Sequence, residues 1–200
     1  MQPTQHIPEG YHPIKTIDIK KDTRLLMRLS LISLALVVPV IVMLMVFGIW
    51  LNPQVERIAE LYNVGLSAVE WLVAVIVINA IFVVFHEGIH GIFFWGFTKQ
   101  IPRFGLGAAY AFAAAPDWFI PGNRYRLIGS SPLVIITIAG VLIMPYLPAK
   151  YLLMWIFGLV INITGSVGDL YILAQLSPNS ETLLVRDAGD IIELYQQEQI

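Results

Sequence analysis

The chain contains no cysteine. Disulfides and thiolate metal sites are thereby excluded, and any metal must be held by nitrogen and oxygen. Charge is scarce as well: 13% of the 200 residues are Asp, Glu, Lys or Arg, against about a quarter in a typical soluble domain. A net charge of -2 supplies no basic field, so nucleic acid is not an expected partner. Histidine occurs four times, which makes every position informative. What the chain has in excess is apolar side chains, 57% of the total. Lipid is the solvent that composition fits, and the length suits one domain without repeats.

A helix needs roughly 20 apolar residues to cross the hydrocarbon core. Leu29 to Leu51 meets that requirement with no charged residue, and Pro39 predicts a kink midway. Because about two dozen polar residues precede it, this run reads as a retained anchor and not as a cleaved leader. A second run extends from near Leu66 to Phe97 and is interrupted by His86, Glu87 and His90. It is too long for one straight crossing, so it either tilts and projects or breaks near Gly88 and Gly91. Leu127 to Tyr146 and Tyr151 to Leu176 make two more spans, joined by the short Leu147-Pro148-Ala149-Lys150 link as an antiparallel hairpin. The expected fold is therefore an all-α polytopic membrane protein of about four transmembrane helices. Residues 104–121 are apolar but rich in Gly and Ala, and too short for a span. They read either as a re-entrant or strand-like element packed within the bundle, or as an ordinary interfacial loop.

Basic residues set the orientation. Lys15, Lys20, Lys21, Arg24 and Arg28 precede the first span, and Lys99, Arg103, Arg124 and Arg126 lie between the second and third. The loop after the first span offers Arg57 against Glu56 and Glu60, and the last turn offers Lys150. The positive-inside rule then puts both termini in the cytoplasm, with four spans between them. The organisation expected is a cytoplasmic segment 1–24, a membrane domain 25–176 and a polar, amphipathic tail 177–200. Trp50, Trp71, Trp95, Trp118 and Trp155 fall mostly near span ends, as an interfacial belt would.

His6 and His12 belong to the amino-terminal segment, whereas His86 and His90 fall within the second span. Positions i and i+4 share a helix face, so both imidazoles of His86-Glu87-Gly88-Ile89-His90 can reach one metal. Glu87, one residue on, is placed to take a proton from water instead of ligating. A carboxylate in mid-membrane costs roughly 2.5–3.5 kcal/mol, and neither Glu87 nor Asp169 has a Lys or Arg within the later spans to offset it. A divalent cation offsets that cost directly. Catalytic zinc usually takes three protein ligands and leaves one position open, and Asp169 is the best third. His86 and Asp169 each lie 18 residues past Ala68 and Tyr151, about 27 Å down their helices at 1.5 Å per residue. Gly165 and Gly168 would let the last helix approach its neighbour closely. Asp117, in the Pro116-Asp117-Trp118 turn, is a weaker rival. Asn79 and Asn162, two turns before His86 and Asp169, could serve the site, but read more simply as helix-to-helix hydrogen bonds.

The run His86-Glu87-Gly88-Ile89-His90-Gly91, the stretch Gly165-Ser166-Val167-Gly168-Asp169-Leu170-Tyr171 and the tail Arg186-Asp187-Ala188-Gly189-Asp190 together resemble a bacterial family of zincin peptidases. That family is itself similar to the site-2-protease class of intramembrane metalloproteases. The resemblance covers most of the chain. It implies one zinc ion held by His86, His90 and Asp169, with Glu87 as base and a transmembrane or membrane-adjacent polypeptide as substrate. In the site-2 class the third ligand lies in an Asn-Pro-Asp-Gly-like motif, whereas here it follows Ser166-Val167-Gly168, without the proline. By position, residues 104–121 correspond to the hairpin that presents substrate in that class. Two other readings remain open: a membrane scaffold that binds zinc without hydrolysis, and a small transporter in which Glu87 and Asp169 relay protons. The sequence leaves the oligomeric state open.

Overall fold

Side-chain caps open the first two helices. The Leu25 amide donates to Asp22 Oδ1 at 2.9 Å, the N-cap contact that starts α1 (Thr23–Leu51). Ser67 and Glu70 form a capping box, in which the Ser67 amide donates to Glu70 Oε2 at 2.8 Å and the Glu70 amide to Ser67 Oγ at 3.4 Å. From there α2 runs Ala68–Thr98. It passes through Gly88 and Gly91 without interruption, so of the two expectations for this run the break is not what occurs. At 1.5 Å per residue it is about 46 Å long, well beyond the roughly 30 Å of hydrocarbon it would cross. It ends at Lys99, whose φ of 59° is the left-handed turn that closes a helix.

Three short strands follow: β2 (Arg103–Leu106), β3 (Ala111–Ala114) and β4 (Phe119–Pro121). The strand-like reading of residues 104–121 is thus the one the structure takes. Next comes α3 (Gly122–Ile143), with a 3-10 turn at Met144–Tyr146, and then α4 (Ala149–Gly165) and α5 (Val167–Ala174). The computed structural model describes residues 1–55, 65, 67–107, 110–176 and 182–198. Leu66, Glu56, Arg57 and Glu60, which entered the span and orientation arguments, lie outside them.

The all-α expectation needs correction. β1 (Tyr11–Asp18), β5 (Leu183–Asp187) and β6 (Ile191–Gln197) join β4 in an antiparallel sheet ordered β1-β6-β5-β4, while β2 and β3 form a hairpin of their own. The reason lies in the period of the terminal segment, not its polarity. Within Ile191–Gln197, Ile192 and Leu194 turn inward while Glu193 points to the partly exposed face, the alternation of a half-buried strand. A tight turn links β5 to β6. Gly189 occupies it at φ +87°, a conformation that favours glycine, and its amide donates to Asp187 Oδ1 at 2.8 Å.

Two compact units emerge from the packing. The first comprises Met1–Ser30, Glu87–Ser131 and Gly168–Ile200. Its core holds Ile17, Phe94, Ile120, Ile128, Val185 and Leu194, each contributing about 1.5–3 kcal/mol through burial. The second comprises Leu31–His86 and Pro132–Val167, packed around Val40, Leu44, Phe82, Leu152, Ile156 and Leu159. Here a Cβ on Gly158 would overlap the Phe82 ring, so this glycine marks a close helix approach. Gly165 and Gly168, expected to do so, have open space where a side chain would go. Trp155 also departs from the belt expectation: it packs edge-to-face on Phe82 and donates to the Gly140 carbonyl at 2.9 Å.

Leu34, Val38, Val46, Val69 and Val84 are among the many large apolar side chains left exposed. Four helical stretches among the described residues are long and apolar enough to cross a membrane: Thr23–Leu51, Ala68–Thr98, Gly122–Tyr146 and Ala149–Ala174. Lipid accounts for the apolar exposure that water would penalise.

Candidate metal centre

One unbroken helix carries His86, Glu87 and His90. The two histidines are buried, and Glu87 between them is half-buried. Each imidazole has its Nδ1 engaged. His90 Nδ1 lies 2.9 Å from the Ile128 carbonyl oxygen on α3; a carbonyl only accepts, so that nitrogen carries the proton. His86 Nδ1 lies 3.0 Å from Asn162 Oδ1 on α4, and Asn162 Nδ2 in turn donates to Thr137 Oγ1 at 3.2 Å. Both rings are thereby fixed in the tautomer that leaves Nε2 with its lone pair, the arrangement found for metal-ligating histidines.

Asp169 arrives by a different route from the straight helix its sequence position suggests. Ser166, fully buried, ends α4 by donating its hydroxyl to the Asn162 carbonyl at 2.7 Å. The chain then restarts as α5, with Asp169 in the first turn, where the helix dipole favours a negative charge. Its Oδ1 lies 3.4 Å from His90 Nε2. Ligand atoms of His86, His90 and Asp169 all fall within 4.8 Å of one another. Two ligands about 2.0–2.2 Å from a tetrahedral zinc are separated by about 3.3–3.6 Å, which the His90–Asp169 spacing already meets. Two neutral imidazoles and a carboxylate are also a donor set that zinc accepts for catalysis. The residues present fit the ion.

The rival third ligand sits elsewhere. Asp117 Oδ2 pairs with the Arg103 guanidinium at 2.9 Å, both side chains being exposed. Sequence reasoning undervalued Asn162, whose hydrogen bond to His86 exceeds the helix-to-helix role that spacing suggested. It missed Ile128 altogether, because a backbone carbonyl leaves no signature in residue type. It noted the Arg186–Asp190 run only as part of a family likeness. In the structure Asp187 is buried, and Tyr125 Oη donates to its Oδ2 at 2.6 Å. Loss of water around Asp187 pushes its carboxyl up to about 6, even though the Tyr125 and Gly189 hydrogen bonds pull the other way.

Membrane-length apolar helices and a cluster of two imidazoles with one carboxylate define a class, that of integral membrane proteins able to hold a metal through nitrogen and oxygen. The particular lineage comes from comparison. A protein-family model described as "Putative zincin peptidase" matches residues 79–183, more than half of the chain, and the chain belongs to that family. Membership points to a metallopeptidase and implies a zinc cofactor. The matched stretch contains His86, Glu87, His90 and Asp169. No curated protein and no solved structure matches the chain.

Proposed function

We propose that the protein is an intramembrane zinc metallopeptidase of the site-2-protease kind, hydrolysing peptide bonds in transmembrane or membrane-adjacent polypeptides. His86, His90 and Asp169 hold one zinc ion, and Glu87 is the general base. The observation that carries this reading is the convergence of three ligand atoms of His86, His90 and Asp169 within 4.8 Å, together with the hydrogen bond that engages Nδ1 of each imidazole. When bound, zinc polarises the scissile carbonyl and lowers the pKa of water. The Glu87 carboxylate accepts a proton from the attacking water and delivers it to the leaving amine. Asn162 and the Ile128 carbonyl keep the two imidazoles aimed throughout.

The β2–β3 hairpin supports a mode of substrate binding. Phe104 of β2 lies against the α2 backbone at Gly91, the residue after His90. An extended substrate segment would pair along this hairpin beside the centre, its backbone groups satisfied by strand pairing where lipid offers none. The basic residues flanking the spans favour a cytoplasmic location for both termini in the bacterial cell membrane.

The test uses detergent-purified protein, elemental analysis and a panel of single-span peptides. His86→Ala, His90→Ala and Asp169→Ala should each lose zinc. Glu87→Gln should keep zinc and lose cleavage by 100-fold or more, on the order of a general base's contribution. Parent-like cleavage by Glu87→Gln would remove the assigned base. Stoichiometric zinc with no cleavage by the parent would favour the scaffold, and a metal-free parent the transporter.

A further inference from the structure

The run Arg186–Asp190 gathers contacts from several elements of its unit. Arg186 Nε donates to the Pro116 carbonyl at 2.8 Å and Nη1 to Glu193 at 3.0 Å. Tyr110 Oη, preceding β3, donates to Asp190 Oδ1 at 2.6 Å. The Phe112 ring of β3 lies where a side chain on Gly189 would go. These contacts hold strands and hairpin together, and a structural role accounts for them. Asp187 differs. Its side chain turns inward, is buried, and ends on Tyr125 in the first turn of α3.

Tyr125 lies three residues before Ile128, so the two share one face of α3. The Ile128 carbonyl is the acceptor that fixes His90 Nδ1. The Tyr125 ring also meets Phe94 edge-on, with centroids 6.4 Å apart, and Phe94 lies one turn beyond His90 on α2. A rigid path therefore runs from the β5–β6 turn through Tyr125 to both sides of His90: to the carbonyl that sets its tautomer, and to the helix that carries it. Both carboxylate oxygens of Asp187 are engaged, one by Tyr125 and one by the Gly189 amide, which leaves the group little freedom to tilt.

We propose that Asp187 is a positioning residue for the metal centre, holding the first turn of α3 through Tyr125 so that the Ile128 carbonyl stays on His90 Nδ1 and Nε2 stays on the zinc position. This rests on the reading of His90 as a zinc ligand. Outer-shell groups that orient a ligand are typically worth 10–100-fold in metal affinity. A residue that merely stabilises the fold would shift the melting temperature and leave that affinity alone.

The experiment measures zinc affinity of the full chain in detergent by competition with a chromophoric chelator, beside the melting temperature of the zinc-free protein. Asp187→Asn and Tyr125→Phe are each expected to weaken zinc binding about 10-fold or more. Combining them should add little, since both cut one path. Tyr125→Phe keeps the ring against Phe94 and loses only the hydroxyl, so it serves even if Asp187→Asn does not fold. Asp190→Asn, in the same turn but bonded to Tyr110, should leave zinc affinity at the parent value. Unchanged affinity in the Asp187 and Tyr125 variants overturns the inference, whatever happens to melting. Equal weakening in Asp190→Asn overturns it too, because the effect would then be general loosening of the turn. A parent that binds no zinc overturns the peptidase reading along with it, whereas a zinc-binding parent with unaffected variants overturns the positioning role alone.

Discussion

At the scale of single residues, the candidate site divides into groups visible from sequence and groups visible only in three dimensions. His86, Glu87, His90 and Asp169 declare themselves because ionisable side chains in an apolar run are costly and need a reason. Asn162 and Ile128 do not, since their importance depends on which imidazole nitrogen they meet, and neither does Tyr125, whose hydroxyl meets the buried Asp187 carboxylate. Asp187 is hidden for another reason: it sits in a polar stretch, where a carboxylate looks ordinary, and only burial changes its chemistry. That burial has a consequence for stability. With its carboxyl held up at about 6, the folded chain retains a proton that the unfolded chain releases at lower pH. The stabilisation is complete below the usual carboxylate range and is lost as pH rises through about 6, amounting to about 3 kcal/mol. Melting temperatures of the zinc-free parent and of Asp187→Asn should therefore diverge between about pH 4 and pH 6.5, the parent losing stability relative to the variant as pH increases. Parallel curves over that interval would show that Asp187 does not titrate there.

Among the elements, helices were the easier reading. Long apolar runs found α1 to α4, and the Ser67–Glu70 box shows that a start signal also lay in plain sequence. The strands were harder. β1 and β6 belong to segments that read as a polar amino-terminal stretch and an amphipathic tail, and the inward Ile192 and Leu194 are too few to stand out without their partners in β5. The break at Ser166 was invisible because Thr164, Gly165 and Ser166 are small and uncharged within a largely apolar stretch, and the hydroxyl that ends α4 acts on a carbonyl four residues back. Packing among the helices rests on small residues, though not on the pair that spacing favoured. Gly158→Ala drives a methyl group into Phe82, a ring already backed by Trp155. Such overpacking costs about 1–3 kcal/mol, so the variant should melt below the parent. Phe82→Leu in the same chain should recover part of the loss, a coupling that a two-variant cycle would detect.

On the scale of the whole molecule, strand pairing constrains how the chain threads the bilayer. β1 precedes the first apolar helix and β6 follows the last, and they are hydrogen-bonded neighbours from Tyr11 opposite Gln197 to Asp18 opposite Ile191. β4, which lies after two such helices, pairs with β5, which lies after all of them. A sheet cannot be divided by a membrane, so the number of crossings between any two of its strands must be even. Even counts depend on no charge, and they agree with the two-and-two arrangement that the distribution of lysine and arginine favours. The absence of cysteine makes it simple to check. Lys15→Cys, Asp117→Cys and Gln196→Cys should react with a membrane-impermeant maleimide from one face only, and Lys150→Cys, at the start of α4, from the other.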